Sequence, residues 1–69
     1  MTKKEKIRLA TKIADAEIII LTSKSKDEIN EAKNNVLNLT NKIESFSDLD
    51  DIHELTMTIL ADKKKKFGL

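Results

Sequence analysis

The chain has 69 residues, with 13 Lys and Arg against 12 Asp and Glu, one His, no Cys, no Pro and a single Gly. This composition excludes a disulfide framework, a thiolate metal site and a glycine-rich phosphate loop, and it lacks the Gly and Pro turns of an all-β fold. A chain of this length forms one domain, residues 1–69, whose small core leaves its stability marginal.

The first predicted helix covers residues 3–22. It begins behind Thr2-Lys-Lys-Glu5, a capping box in which a hydroxyl and a carboxylate satisfy backbone N–H groups at the helix start. Its apolar residues spread over roughly 200° of the helical wheel, and Ile19 lies apart from them on the polar side. Residues 17–22 are rich in β-branched side chains, so a strand is the alternative for that segment.

The second predicted helix covers residues 26–45 and begins behind another capping box, Ser25-Lys-Asp-Glu28. Its apolar residues recur every three or four positions and form a stripe about 100° wide. The stripe consists of Ile29, Ala32, Val36, Leu39, Ile43 and Phe46. Leu37 lies on the polar side. A stripe this narrow covers only part of the broad apolar arcs on the two neighbouring helices.

The third predicted helix covers residues 48–66 and begins behind Ser47-Asp-Leu-Asp50, a weaker capping signature with Asp in place of Glu. Its apolar residues again spread over roughly 200°, and His53 and Thr56 fall inside that arc. Four lysines occupy the last turn, where the helix dipole favours cations, and Gly68 follows as the C-terminal cap. Residues 54–60 alternate enough for a strand to be the alternative.

These elements predict an all-α fold, a small three-helix bundle whose neighbouring helices are antiparallel because both connecting loops are short. The start of the first helix then lies beside the start of the third. This end of the bundle is predicted to be mixed in charge, with Lys3, Lys4, Lys6 and Arg8 facing Asp48, Asp50, Asp51 and Glu54. The opposite end is predicted to be strongly basic.

The first and third helices carry more apolar surface than the narrow stripe of the second helix can cover, and this uncovered surface predicts a protein interface. Contiguous exposed apolar patches usually mark interaction surfaces, and a chain this small gains stability by associating. We therefore expect a homodimer and a protein partner. The residues predicted to form the interface are Ile18, Ile19, Leu37, Leu55, Met57 and Ile59.

The lysines at the basic end give the alternative function, a nucleic-acid-binding or nucleoid-associated protein. Basic patches bind phosphate through the release of counterions. Neither an aromatic stacking platform nor a helix-turn-helix pattern accompanies them in this sequence. The residues predicted to contact phosphate under this alternative are Lys24, Lys26, Lys63, Lys64, Lys65 and Lys66.

Two residues are candidates for a chemical site. Glu17 lies within the apolar arc of the first helix, where a carboxylate is costly unless it reaches an edge or pairs with a lysine or His53. His53 is the only histidine, and a metal site requires three or four ligands at suitable spacing. The sequence therefore predicts no metal, no cofactor and no catalytic site.

The function predicted from the sequence is that of a non-enzymatic protein-binding module. Its size suits a regulator, inhibitor or assembly factor of the kind that phages and mobile elements encode. The longest apolar run, residues 18–21, is far shorter than the roughly 20 residues of a membrane span, and no signal-peptide pattern follows the basic N-terminus. We therefore expect the protein in the cytoplasm.

Overall fold

The computed structural model describes residues 1–69, which form three α-helices joined by short loops. α1 spans Lys3–Thr22, α2 spans Lys26–Asn41 and α3 spans Phe46–Phe67. The predicted all-α three-helix bundle is confirmed, and both segments for which a strand was the alternative are helical. None of the three helices is at once long enough and apolar enough to cross a membrane.

Hydroxyl caps begin α1 and α2 at the predicted positions. Thr2 Oγ1 accepts a hydrogen bond from the backbone N–H of Glu5 at 3.1 Å, and Ser25 Oγ accepts one from the N–H of Glu28 at 3.4 Å. Each cap satisfies an N–H group that has no partner within its helix. The two glutamates do not reach back to the backbone, since the Glu5 carboxylate accepts from the Thr2 hydroxyl and Glu28 accepts from Ser23.

The junction between α2 and α3 differs from the prediction. α2 ends at Asn41 rather than at residue 45, and α3 begins at Phe46 rather than at residue 48. Ser45, not Ser47, caps α3, and its Oγ accepts from the N–H of Asp48 at 3.4 Å. The two serines stand two positions apart and both precede acidic residues, so the local sequence alone does not show which serine is the cap.

Packing of the loop explains the early end of α2. Ile43 follows the end of α2 and packs against the core, which turns the chain towards the start of α3. Phe46 was predicted on the apolar stripe of the second helix, and that prediction is wrong. Phe46 is the first residue of α3 and is 86% exposed.

The identity of the α3 cap is testable with a matched pair of serines. Replacing Ser45 by alanine is expected to lower the free energy of unfolding by about 1 kcal/mol, because the N–H of Asp48 loses its acceptor. Ser47→Ala, made two residues further on in the same exposed turn, is expected to change it by less than about 0.5 kcal/mol. Urea unfolding followed by far-UV circular dichroism measures both, and a larger loss for Ser47→Ala contradicts the cap assignment.

Gly68 ends α3 as predicted. Its φ of 73° lies in the left-handed region that glycine adopts without steric cost. The N–H of Gly68 bonds the carbonyl of Lys65 at 3.4 Å, and the N–H of Leu69 bonds the carbonyl of Lys64 at 2.8 Å. This pair of bonds is a Schellman motif, which satisfies carbonyls left without partners at the helix end.

α1 is the central helix, because α2 and α3 both pack against it and scarcely touch each other. α1 and α3 run in the same direction and bury two ridges of residues spaced four apart. These ridges are Ala10, Ala14 and Ile18 on α1 and Ile52, Thr56 and Leu60 on α3. Ridges of this spacing interlock in helix pairs that cross at about 50°.

The four-residue spacing of the buried residues explains much of the broad apolar arc predicted on α1 and α3. Residues spaced four apart advance about 40° around the helix at each step, so the buried surface winds around each helix instead of following one line. α1 buries further residues, among them Ile13 and Ala16, which widens its arc again. Part of the apolar surface that was predicted to remain uncovered on α1 and α3 therefore belongs to the core.

Candidate functional site

The end of the bundle where α1 and α3 begin is mixed in charge, as predicted. Lys6 Nζ lies 2.5 Å from Asp51 Oδ2 and 3.3 Å from Asp48 Oδ1, and the N-terminal ammonium lies 3.9 Å from Asp48 Oδ2. The hydrogen bonds to Asp51 and then Asp48 raise the pKa of Lys6 above its ordinary 10.5. The Lys6 ammonium gains these partners on folding. Its ion pairs therefore stabilise the fold fully below the ordinary pKa, and this stabilisation is lost as the pH rises through the raised pKa.

The end where α3 finishes carries the lysines considered for phosphate. Lys63 is already engaged, with its Nζ 2.6 Å from Asp15 Oδ1 on α1. Lys64, Lys65 and Lys66 form no ion pair within the chain. Lys24 and Lys26 are exposed at the same end, around the loop that joins α1 to α2. The topology thus places five unpaired lysines at one end of the bundle.

Three of the six residues predicted to form the interface lie in or against the core. Ile18 is buried with Leu60 in one apolar cluster, so Ile18 is inaccessible to a partner in this fold. Leu55 and Ile59 are half-buried and pack against a second cluster around Ile52. Their positions on the wide arcs of α1 and α3 suggested exposure, whereas the packing of α1 against α3 covers them.

The other three predicted interface residues are exposed but lie on different surfaces. Ile19 is 42% exposed and lines an open groove between α1 and α2. Leu37 is 59% exposed and follows the buried Ala32 by five residues, which places it about 140° away on the outer side of α2. Met57 is 53% exposed on α3. The predicted set therefore does not form one continuous surface.

A second ridge on α3 is the feature that the sequence reasoning missed. Its members are spaced four apart, and three of them follow the buried residues 52, 56 and 60 by one position, which places them about 100° further around the helix. We call this set the outer ridge of α3, and all of its members are exposed. The outer ridge consists of Leu49, His53, Met57, Ala61 and Lys65. In the sequence, the buried residues of α3 and the outer ridge each recur every four positions, and the two sets are offset by one residue. A single broad apolar arc includes members of both sets and therefore did not separate them.

Charged residues flank the outer ridge. Asp50 and Glu54 are exposed on the N-terminal half of α3, and Lys64 is half-exposed near its C-terminal end. None of the three forms an ion pair within the chain. Phe46 lies at the start of the same helix with almost its whole ring in solvent. The arrangement is a short ridge that is apolar at Leu49, Met57 and Ala61 and has a polar margin.

Glu17 and His53 do not form a site together. Glu17 is half-buried on α1 and forms no ion pair, and His53 is exposed on the outer ridge. No group of three or more His, Cys, Asp or Glu side chains is placed to hold a metal ion. Glu17 thus lies at an edge of the bundle, which was one of the alternatives predicted for it.

Comparison with known proteins gives no relative from which a function could be transferred, since no protein family, curated protein or solved structure matches this chain.

Proposed function

We propose that the protein is a non-enzymatic protein-binding module that docks the exposed side of α3 onto a protein surface. The outer ridge of α3 is the observation that supports this proposal. Met57 provides apolar surface at its middle and Leu49 at its N-terminal end, and Asp50, Glu54 and Lys64 provide a charged margin. Protein interfaces commonly have this anatomy of an apolar centre with a polar rim, and Met is enriched in them.

The small core also supports association with a partner. Ile52 is the only large side chain that is fully buried, whereas ten large apolar side chains are substantially exposed. A domain of about 60 to 70 residues buries too little surface to be more than marginally stable alone, so burial of apolar surface at an interface adds to its stability. Such a module would act as a regulator, inhibitor or assembly factor by occupying a surface, and we propose that it does so as a homodimer.

The test compares two lysine substitutions at similarly exposed apolar positions. The immobilised protein is used to capture proteins from a cell extract of its native host, and the mass of the free protein is measured by light scattering. Met57→Lys is expected to reduce capture or self-association by about tenfold or more, as expected for a residue at the centre of an interface. Leu37→Lys, on the outer side of α2, is expected to leave both unchanged. If Met57→Lys changes neither capture nor mass, the proposal is wrong.

Nucleic-acid binding is the second candidate, favoured by the five unpaired lysines at one end of the bundle. Lys63 provides a matched control, because Asp15 already neutralises its charge. If this candidate is right, duplex DNA binds with an affinity that falls steeply with salt concentration, and Lys65→Ala weakens binding more than Lys63→Ala does. Absence of binding at low salt removes this candidate.

A further inference from the structure

Resting on the proposed function, we propose that the partner of the outer ridge of α3 is a second copy of this chain. The two α3 helices lie antiparallel, with Met57 of each copy at the two-fold axis. Symmetric dimers require a surface that is complementary to itself after a two-fold rotation. The outer ridge and its flanking charges meet this requirement.

The spacing of the outer ridge is symmetric about Met57. Reversal of α3 about this residue places Leu49 opposite Lys65 of the other copy and His53 opposite Ala61, because the members are four and eight residues from the centre. The small side chain of Ala61 leaves room for the imidazole ring. Ridges of this spacing are already used for the packing of α1 against α3, and the same ridge-into-groove geometry serves a pair of α3 helices.

The charges on α3 divide at the same residue. Four carboxylates precede Met57, namely Asp48, Asp50, Asp51 and Glu54, whereas four lysines at residues 63–66 and one carboxylate, Asp62, follow it. The half before Met57 is therefore acidic, and the half after it keeps an excess of positive charge. A parallel copy would place acid against acid and base against base, whereas an antiparallel copy places each acidic half against a basic half. Reversal also sets the two helix dipoles in opposite directions, which is the favourable arrangement for neighbouring helices.

Reversal brings together two charges on α3 that have no partner within their own chain. Asp48 and Asp51 are bound to Lys6, and Lys63 is bound to Asp15. Asp50 and Lys64 lie seven residues before and seven residues after Met57 and have no partner in their own chain. The two-fold axis therefore forms two equivalent Asp50–Lys64 pairs, one on each side of the Met57 contact.

Cross-linking tests the position of the axis, because the chain has no natural cysteine. A disulfide forms only where two Cα atoms come within about 7 Å. Under mild oxidation Met57→Cys is expected to give a covalent dimer. Thr58→Cys, exposed one residue further and about 100° around the same helix, is expected to remain largely monomeric. Equal cross-linking of the two variants contradicts an axis at Met57.

A charge exchange tests the antiparallel direction. Asp50→Lys and Lys64→Asp each remove two ion pairs from the symmetric dimer, and each is expected to raise its dissociation constant by about tenfold in sedimentation equilibrium. An equimolar mixture of the two variants is expected to restore the affinity, because the introduced lysine then faces the introduced aspartate and the natural pair remains on the other side. Glu44→Lys, in the exposed loop before α3, matches the charge change of Asp50→Lys and is expected to have no effect.

The outcomes separate this inference from the proposed function. A wild-type chain that is monomeric at every concentration, or a mixture as weak as either variant alone, overturns the antiparallel dimer. If such a monomer still captures another protein in a way that Met57→Lys abolishes, the protein-binding function stands and its partner is a different chain. If Met57→Lys alters neither capture nor mass, both proposals are wrong.

Discussion

Ile52→Ala is expected to unfold most of the protein at room temperature. Ile52 is 1% exposed and is the largest side chain that α3 buries completely against α1. Truncation of such a side chain costs about 2–5 kcal/mol, since apolar transfer energy is lost and a cavity is left. A core of this size supplies a net stability of only about 3–5 kcal/mol, so the loss is comparable to the total free energy of unfolding. Circular dichroism during thermal and urea unfolding measures the effect.

Leu37→Ala is the matched control for this substitution. It also removes an aliphatic side chain from a helix, but Leu37 is 59% exposed and lies on the outer side of α2. It is expected to change the free energy of unfolding by less than about 0.5 kcal/mol. If both alanine variants unfold at similar urea concentrations, Ile52 is not the centre of the core.

The second large effect is expected at Ala14, where α1 and α3 approach each other. Ala14 has no exposed surface and packs with Ile18 and Leu60. A leucine at this position has no space without separation of the two helices, and overpacking of this kind costs about 1–3 kcal/mol. Ala14→Leu is therefore expected to lower the midpoint of thermal unfolding by several degrees or more.

Ala61 provides the control for overpacking, because it is the one exposed alanine in the chain. Ala61→Leu adds the same three carbon atoms on the outer ridge of α3. At low protein concentration it is expected to leave the unfolding midpoint within about 0.5 kcal/mol of the wild type. A tolerated Ala14→Leu would show that α1 and α3 lie further apart than the buried alanines indicate.

The ends of the helices were predictable where a single residue could act as the cap. Thr2 and Gly68 are such residues, and Ser25 differs from the neighbouring Ser23 in standing three residues before a glutamate. The predicted limits of α1 are those observed. At the start of α3 two serines compete, and packing of Ile43 against residues distant in sequence decides between them. Long-range packing of this kind leaves no local signature in the chain.

The interface was less predictable because helical periodicity gives the direction of a side chain and not the path of the neighbouring helix. Ile18 and Ile59 were predicted to be exposed because they lie on apolar arcs that are wider than the stripe of the second helix can cover. Instead, Ile18 is buried with Leu60, and Ile59 packs against the core. Met57 keeps its predicted exposure because it lies one residue beyond the buried ridge.

The central position of α1 affects the order in which the three helices unfold locally. α2 packs mainly against α1, buries only Ala32 completely and carries several asparagines, which are poor helix formers. We therefore expect α2 to detach locally, so that its amide hydrogens exchange with solvent ahead of those of α1 and α3. While α2 is detached, the side of α1 beneath it becomes available as a second, transient apolar surface.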